Sequence, residues 1–312
     1  MNLIHLKYAV EVEKTGSITQ AAENLFMGQP NLSKAIKEFE TNMGVMIFKR
    51  TPKGVVPTEQ GRQILDYAKS ILRQIEEMET LYQPDKTDKQ VFSISIPRAS
   101  YAAYAFTNFV NTLDPAREIE IHFKETNSVD AIKQMVEGAY HLGIIRYQME
   151  YEKYFLNLMD SKSIEHKTLW EFEYLALMSK QHPLAQAHPL HYQDLSQYLE
   201  IAHGDLSIPS VPLAQAKKME QLEGFDKHIY VYERGSQFDL LNRIPTTFMW
   251  VSPIPQDLLQ RNGLIQRKCV MPVRKRKDLL IYPKGYRFSA LDQAFVEELR
   301  RVLEQMTKIE CD

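Results

Sequence analysis

The chain has 312 residues, 44% hydrophobic and 25% charged, with a formal net charge of −2. These values are typical of a globular protein with more than one core, and the lack of any long apolar run predicts no membrane span and no membrane partner. The overall charge does not indicate nucleic-acid binding, so such a function must rest on local basic residues.

The first 40 residues have the pattern of short helices. Residues 2–14 are apolar on one side, Gly16 ends this helix, and Ser17 can accept the free N–H groups that begin the next one. Residues 17–40 then give two helices joined by a tight turn, in which Gly28 is placed to begin the second. This arrangement is that of a helix-turn-helix.

The second helix of the pair is amphipathic and should bury Leu32, Ile36 and Phe39. Amides on its open side can bond adenine bidentately, a hydroxyl can bond any base edge, and lysines suit phosphates. A second cap for the helix is the alternative role of Asn31. We predict base readout by Gln29, Pro30, Asn31 and Ser33, and backbone contact by Lys34, Lys37, Arg50, Thr51 and Lys53.

A β-hairpin, the wing of a winged helix, is predicted after these helices. Two short apolar runs, 45–48 and 55–57, flank a basic loop at 49–54 that contains Pro and Gly. Between positions 34 and 53 there are five basic and two acidic residues, so the electrostatic footprint absent from the whole chain is present locally. A solvated surface is the alternative interpretation of the basic loop taken alone.

Residues 58–82 predict one long helix that Pro84 ends, followed by a polar hinge at 85–89. Its apolar residues recur at alternating steps of four and three, the spacing of a coiled coil. We expect the small winged domain to be unable to bury this seam, so it should pair two chains. Packing on the following domain is the alternative. The seam consists of Ile64, Ala68, Ile71, Ile75, Met78 and Tyr82.

From residue 91 strands and helices alternate, which predicts βαβ units, a mostly parallel sheet and a ligand edge where strands pass into helices. Strands are predicted at 91–96, 118–123, 142–145, 164–169, 174–178, 199–202, 229–232, 247–251, 264–268 and 279–282. Helices are predicted at 97–113, 128–137, near 212–222, near 236–243 and at 289–308. The strands at 164–178 begin a second group, and those at 264–268 and 279–282 return to the first.

An ordered set of residues between positions 6 and 61 carries a family resemblance: Leu6, Gly16-Ser17, Ala21-Ala22, Leu25, Gln29-Pro30, Leu32-Ser33, Ile36, Glu40, Gly44, Phe48, Arg50, Thr58 and Gly61. With these residues at this spacing, the chain resembles the LysR-type transcriptional regulators. It departs from that family's pattern at Gly28, where a capping Ser or Thr is usual, and at Asn31, where a small residue is usual.

The resemblance implies an α/β chain in three parts: an all-α winged helix-turn-helix at 1–58, a dimerising linker helix with hinge at 59–89, and a two-subdomain effector domain of periplasmic-binding-protein type at 90–312. We place subdomain I at about 90–163 and 269–312, and subdomain II at about 164–268. The family's function implies a cytoplasmic bacterial regulator that binds double-stranded promoter DNA as a homodimer or homotetramer. RNA polymerase stays open as a further partner.

By analogy with the family, a small-molecule effector would bind in the C-terminal domain. Arginines at two strand ends indicate an acidic molecule. Surface or capping roles are the alternatives, and for the two arginines a salt bridge is a third. The pocket would use Arg98, Ser100, Thr126, Asn127, Arg146, His203 and Ser236.

Other chemistries lack support in the sequence. His182, His188 and His191 lie in a Pro-rich segment without further ligands, so a solvated loop is expected rather than a metal site. Cys269 and Cys311 give no disulfide framework and are expected to be reduced thiols. No phosphate-binding loop, dinucleotide fingerprint or nucleophile elbow appears, so we expect no cofactor and no enzyme.

Two rival functions remain. The first is a metabolite-binding protein whose N-terminal domain serves only protein contacts, and the lysine-rich helix face counts against it. The second is an enzyme built on the βαβ region, which would require a nucleophile–base pair that the sequence does not show.

Overall fold

The computed structural model describes residues 2–52, 54–82, 89–204, 226–271 and 275–309, with only the backbone of residues 70, 73, 74, 76–82 and 307–309. The chain divides into two compact units. The N-terminal unit is Met1–Asp88 with Val136–Ala139, and the C-terminal unit is Lys89–Met135 with Tyr140–Asp312. Within the described ranges, no helix is both long and apolar enough to cross a membrane.

The N-terminal unit begins with helices α1 (Leu3–Thr15), α2 (Ile18–Asn24) and α3 (Gln29–Met43). The predicted caps are confirmed. Gly16 ends α1 with a left-handed φ of 63°, and the Ser17 hydroxyl accepts the Gln20 N–H at 3.3 Å. Gly28 begins α3. The apolar sides of the three helices form one core that includes Leu6, Ala9, Ala22, Leu32, Ile36 and Phe39.

The wing after α3 is the antiparallel pair β1 (Phe48–Thr51) and β2 (Gly54–Pro57). The predicted loop was too long, because Lys49, Arg50 and Thr51 lie in β1. Extending the hairpin pairs backbone groups that a longer loop would leave to water, and the two valines of β2 favour a strand.

Helix α4 (Glu59–Tyr82) follows the wing directly. Thr58 fixes its start, since the hydroxyl donates to the Met46 carbonyl at 2.6 Å and accepts the Gly61 N–H at 2.9 Å. Gly61 is needed at this junction, because a Cβ there would lie 2.0 Å from the Ile47 carbonyl oxygen. The wing and the start of α4 are therefore packed backbone to backbone.

The expectation that the winged domain cannot bury the α4 seam is wrong for its first half. Ala68 is 1% exposed and lies in the core of the N-terminal unit, with Ile64 and Ile71 packed against it. The cause is α1, which packs along this side of α4. Ile75 is half-buried, and the side chains of Met78 and Tyr82 lie outside the described residues.

The C-terminal unit alternates strands and helices. Its first part contains β3 (Lys89–Ile96), α5 (Ser100–Val110), β4 (Glu118–Glu125), α6 (Ser128–Val136), β5 (Leu142–Gln148), a 3-10 turn (Met149–Tyr151), α7 (Glu152–Ser161) and β6 (Ile164–Phe172). Next come β7 (Leu175–Ser179), β8 (Leu190–His191), α8 (Tyr192–Leu195), β9 (Leu199–His203), β10 (His228–Val231) and α9 (Gln237–Arg243). The remainder is β11 (Thr247–Val251), α10 (Gln256–Arg261), β12 (Leu264–Arg267), β13 (Cys269–Val270), β14 (Arg276–Pro283) and α11 (Ala290–Ile309).

Two five-stranded sheets organise this unit. The first sheet has the order β4-β3-β5-β14-β6 and the second β10-β9-β11-β7-β12. In each sheet two neighbouring pairs are parallel and two antiparallel, so the expected mostly parallel arrangement is wrong. One face of the first sheet packs on α5 and α11 around an aromatic core of Phe92, Phe109 and Phe295.

Two strands belong to sheets other than those predicted. β6 lies in the first sheet, paired with β14 from Arg276↔Phe172 to Pro283↔Ile164. β12 lies in the second sheet, paired with β7. Each gains an antiparallel partner distant in sequence, so the chain first crosses between sheets after β6 rather than before it. α7 and α10 were not predicted, and the helix expected near 212–222 lies outside the described residues.

Candidate nucleic-acid interface and effector region

Helix α3 presents a continuous polar surface. Leu32, Ile36 and Phe39 turn into the core, which leaves the opposite side open to solvent. With 15 residues α3 is roughly 22 Å long, and its first turns suit a major groove about 12 Å wide. We call the open side the α3 face; it consists of Gln29, Pro30, Asn31, Lys34 and Lys37, which are exposed, and Ser33, which is half-buried.

The start of α3 leaves Asn31 available. Among the residues that the structure describes, no side-chain hydrogen bond caps this N-terminus, so the alternative role of Asn31 as a cap is not observed. Gly28, with φ −71° and ψ 135°, has ordinary backbone geometry, and a Cβ there would meet Asn31 Nδ2 at 3.7 Å. The Asn31 amide is therefore on the surface beside the first helical turn.

The wing is held against α3 by Glu40. One Glu40 carboxylate oxygen accepts the Ile47 N–H at 2.8 Å and the Phe48 N–H at 3.0 Å. The resemblance included Glu40 in its pattern, but nothing in the sequence indicated this role. A charged acceptor for two backbone donors is a strong tie, so the wing keeps a defined position relative to α3.

The predicted phosphate contacts of the wing have different surroundings. Arg50 is exposed in β1, as a phosphate-binding residue must be. Thr51 is half-buried, and its hydroxyl donates to the Gly54 carbonyl at 3.0 Å, so this group serves the hairpin itself. Lys53 lies outside the described residues.

In the C-terminal unit, one guanidinium joins groups from both sheets. Arg234 follows β10 of the second sheet and forms an ion pair with Glu125, the last residue of β4 in the first sheet. Its other terminal nitrogen donates to Ser100 Oγ at 2.7 Å, at the start of α5. We call these three residues the Arg234 cluster. Arg234 and Glu125 have side chains only 19% and 18% exposed.

The same segments make a reciprocal contact. Arg98, two residues before Ser100, donates to the carbonyl of Tyr232 at 2.9 Å, two residues before Arg234. Gly204 allows Tyr232 to take this position, since a Cβ at 204 would lie 2.5 Å from the tyrosine ring. Two arginines and a helix N-terminus are thus concentrated where β4 and β10 end.

Tyr104 and Asp257 add a further link between α5 and α10. The tyrosine hydroxyl donates to Asp257 Oδ2 at 2.9 Å. Partial burial, followed by this hydrogen bond and the carboxylate charge, raises the pKa of Tyr104 above its usual value. The hydroxyl therefore stays protonated and keeps donating across the physiological range.

Arg146 does not join the Arg234 cluster. It forms a bidentate salt bridge with Asp278 in the interior of the first sheet, where the Arg146 side chain is 9% and the Asp278 side chain 0% exposed. The prediction of Arg146 as an effector ligand is therefore corrected, and its salt-bridge alternative is observed. The reason is register, since β5 and β14 place the two residues opposite each other.

The other predicted effector residues are distributed differently. Asn127 caps α6, with its Oδ1 accepting the Val129 N–H at 3.1 Å and the Asp130 N–H at 2.9 Å. Thr126 is buried directly after β4, and His203 is half-buried at the end of β9. Exposed Ser236 precedes α9 without capping it.

The histidines and cysteines behave as separate groups. No set of three metal-ligating side chains occurs in the described ranges. The expectation of a solvated loop is wrong for His182, which is 3% exposed, whereas His188 and His191 are exposed. Burial, followed by the charge of Asp194, raises the pKa of Cys269 to about 11, so this thiol is protonated and unreactive at neutral pH. Cys311 lies outside the described residues.

Known proteins resemble this chain most clearly in its N-terminal domain. Residues 3–62 match the family described as "Bacterial regulatory helix-turn-helix protein, lysR family". The nitrogen assimilation regulatory protein nac of Klebsiella aerogenes is 29% identical over 147 residues, 46% of this chain and 48% of that protein. The regulator CysB of Burkholderia cenocepacia is 25% identical over 210 residues, 66% and 64%. The chain thus spans about half to two thirds of these relatives.

Solved structures share the fold along nearly the whole chain. LysG of Corynebacterium glutamicum, described with bound effector Arg, has a TM-score of 0.59 at 14% identity, covering 98% of this chain and 99% of that one. Full-length CbnR in complex with its target DNA has a TM-score of 0.57 at 16% identity, covering 97% and 100%. Residues 3–62 thus match the lysR helix-turn-helix family, and the chain as a whole has the fold of these solved structures.

Proposed function

We propose that the chain is a sequence-specific DNA-binding transcriptional regulator whose promoter binding is modulated by a small-molecule effector. The observation that supports DNA binding most directly is the α3 face, where amides, a hydroxyl and lysines are accessible along one side of a rigid helix. The lysR-family match over residues 3–62 and the DNA-bound state of CbnR, which has the same fold, support this proposal.

The roles within the interface follow from side-chain chemistry. Gln29 and Asn31 bond base edges in the major groove, Ser33 adds a hydroxyl contact, and Pro30 packs on an apolar base atom. Phosphate contacts by Lys34, Lys37, Arg50 and Lys53 fix the register without reading sequence. The wing extends the contact beyond the groove, and Glu40 sets its angle to α3.

The effector is an anionic small molecule bound at the Arg234 cluster. Guanidinium groups and a helix N-terminus both favour carboxylates or phosphates. Arg234 is already paired with the carboxylate of Glu125, so an incoming anion must compete with this internal carboxylate for the guanidinium. This competition couples binding to the contact between the two sheets, because the Glu125–Arg234 pair joins them. The effector-bound state of LysG, which has the same fold, supports a ligand-binding role.

The chain acts as a homodimer or homotetramer in the cytoplasm. The exposed side of α4 and the part of its seam beyond Ile75 join two chains, and the paired α3 faces then match a partly palindromic promoter. Effector binding shifts the spacing of these faces, with RNA polymerase as a further partner. We propose that the chain works by binding rather than catalysis, and the regulatory relatives support this.

Footprinting on the DNA upstream of the chain's own gene tests this function. We expect a protected region with two related half-sites, and protection that changes when an acidic ligand is added. A chain that protects no sequence there or elsewhere in its genome would contradict the proposal.

A further inference from the structure

Phe26, in the turn between α2 and α3, has two features that are unfavourable for the stability of the folded chain. The residue is 98% exposed, and its backbone is left-handed with φ 52°. A left-handed backbone is disfavoured for residues that carry a Cβ. An exposed phenyl ring also gains none of the burial that stabilises Phe39, which is 1% exposed in the same unit.

The turn requires the backbone of Phe26 but not its ring. The Phe26 N–H donates to the Glu23 carbonyl at 3.0 Å and the Met27 N–H to the Ala22 carbonyl at 2.9 Å, the pattern that ends many helices with a left-handed residue. Glycine is the usual residue at such a position. The fold of the single chain therefore gives the ring no packing role.

The position of Phe26 indicates what the ring meets. Phe26 is three positions before Gln29 at the start of the α3 face, so the two Cα atoms lie within about 11 Å. The major groove is about 12 Å wide. An α3 face seated in the groove would leave Phe26 within reach of one bordering strand, where the deoxyribose rings offer apolar carbon atoms.

We propose that Phe26 packs on a deoxyribose of the DNA strand bordering the groove that α3 reads. The inference rests on the proposed function and adds an apolar contact to it. Such a contact carries no sequence information and releases no counterion. Its loss should weaken binding to every duplex equally and leave the salt dependence of the affinity unchanged.

The test uses the full chain with the DNA upstream of its own gene and with a random-sequence duplex of equal length. Variants Phe26→Gly and Phe26→Asn keep the left-handed turn, Phe26→Tyr keeps the ring, and Met46→Ala is the control. Met46 is 66% exposed and follows the far end of α3. Fluorescence anisotropy at several salt concentrations gives the affinities, and thermal unfolding gives Tm.

We expect Phe26→Gly and Phe26→Asn to lose about tenfold in affinity for both duplexes, with an unchanged salt slope. Their Tm should equal or exceed that of the unsubstituted chain, since Gly and Asn adopt the left-handed backbone of this turn with less strain than Phe. Phe26→Tyr and Met46→Ala should bind as the unsubstituted chain does. Unchanged affinity of Phe26→Gly, or a loss that appears only with a lowered Tm, would overturn the contact. If the unsubstituted chain binds neither duplex, the proposed function fails as well.

Discussion

Arg146 and Asp278 form the buried ion pair of the first sheet, with Nε to Oδ1 at 2.8 Å and Nη2 to Oδ2 at 2.7 Å. Asp278 also accepts the Tyr101 hydroxyl at 2.5 Å and the Trp170 indole N–H at 3.3 Å. Burial works to lower the pKa of Arg146, but the charge of Asp278 and the hydrogen bonds to it prevail and raise it. The carboxylate is thus fully hydrogen-bonded, and the pair is structural.

Replacing Asp278 by Asn should destabilise the C-terminal unit by about 3–5 kcal/mol, because the Arg146 charge then stays buried without a counter-charge. Urea unfolding followed by circular dichroism measures this loss. Asp239→Asn is the matched control. It breaks an exposed pair with Arg243 and should cost less than about 1 kcal/mol. Equal effects of the two substitutions would contradict the structural role.

Glu125→Gln should increase the affinity for small acids, because Arg234 loses the internal carboxylate that competes with them. The measurement is a thermal-shift screen of small carboxylic acids at neutral pH. Arg234→Lys, which keeps the charge but not the planar fork, should reduce the response to the same acids. Acids that shift the Tm of the unsubstituted chain and of both variants equally would place the effector elsewhere.

Gly61→Ala should disrupt the junction between the wing and α4. The added Cβ would lie 2.0 Å from the Ile47 carbonyl oxygen, so backbone must move, at a cost of about 3 kcal/mol. Unfolding of the N-terminal unit measures this cost. Gly28→Ala is the control, since its Cβ has no neighbour closer than 3.7 Å, and should change stability by under about 1 kcal/mol. A fully stable Gly61→Ala chain would show that this packing is wrong.

His182 should make the chain sensitive to acid. Burial lowers the pKa of His182 from 6.5 to about 4, and its Nδ1 accepts the Leu184 N–H at 3.0 Å. The folded state therefore favours neutral histidine. Its contribution is present above pH 6.5 and is lost as pH falls towards 4, by at most about 1.4 kcal/mol per pH unit.

His182→Asn keeps an acceptor for Leu184 but cannot be protonated, so its unfolding free energy should fall less between pH 6.5 and 4. His188→Asn, at an exposed position, should follow the unsubstituted chain. The comparison requires urea titrations at a series of pH values. Identical pH profiles for all three chains would exclude His182 as the cause.

The N-terminal unit could be predicted closely from sequence because its signals are local. Gly16, Ser17 and Gly28 act on the residues beside them, and the helical spacing of Leu32, Ile36 and Phe39 reports one buried side directly. The surroundings of the α4 seam are harder to predict, because a heptad pattern shows that a stripe is apolar without showing what covers it.

The C-terminal unit depends on pairings between distant residues, which local patterns do not reveal. The sequence predicts β6 and β12 as strands, but the sheet to which each belongs depends on a partner strand far along the chain. For the same reason the partner of Arg146, 132 residues away, was not identified. Arg234 is not among the effector residues predicted from the sequence, because its link to Glu125 depends on how the two sheets meet.

The central claim is that the α3 face reads DNA. Operator duplexes with single base-pair changes, titrated at several salt concentrations, test it with Asn31→Ala and Lys34→Ala beside the unsubstituted chain. Asn31→Ala should relax preference at one position by about 1–3 kcal/mol, and Lys34→Ala should weaken all duplexes alike and lower the salt slope by about one. Unaltered preference in Asn31→Ala together with an unaltered slope in Lys34→Ala would contradict the claim.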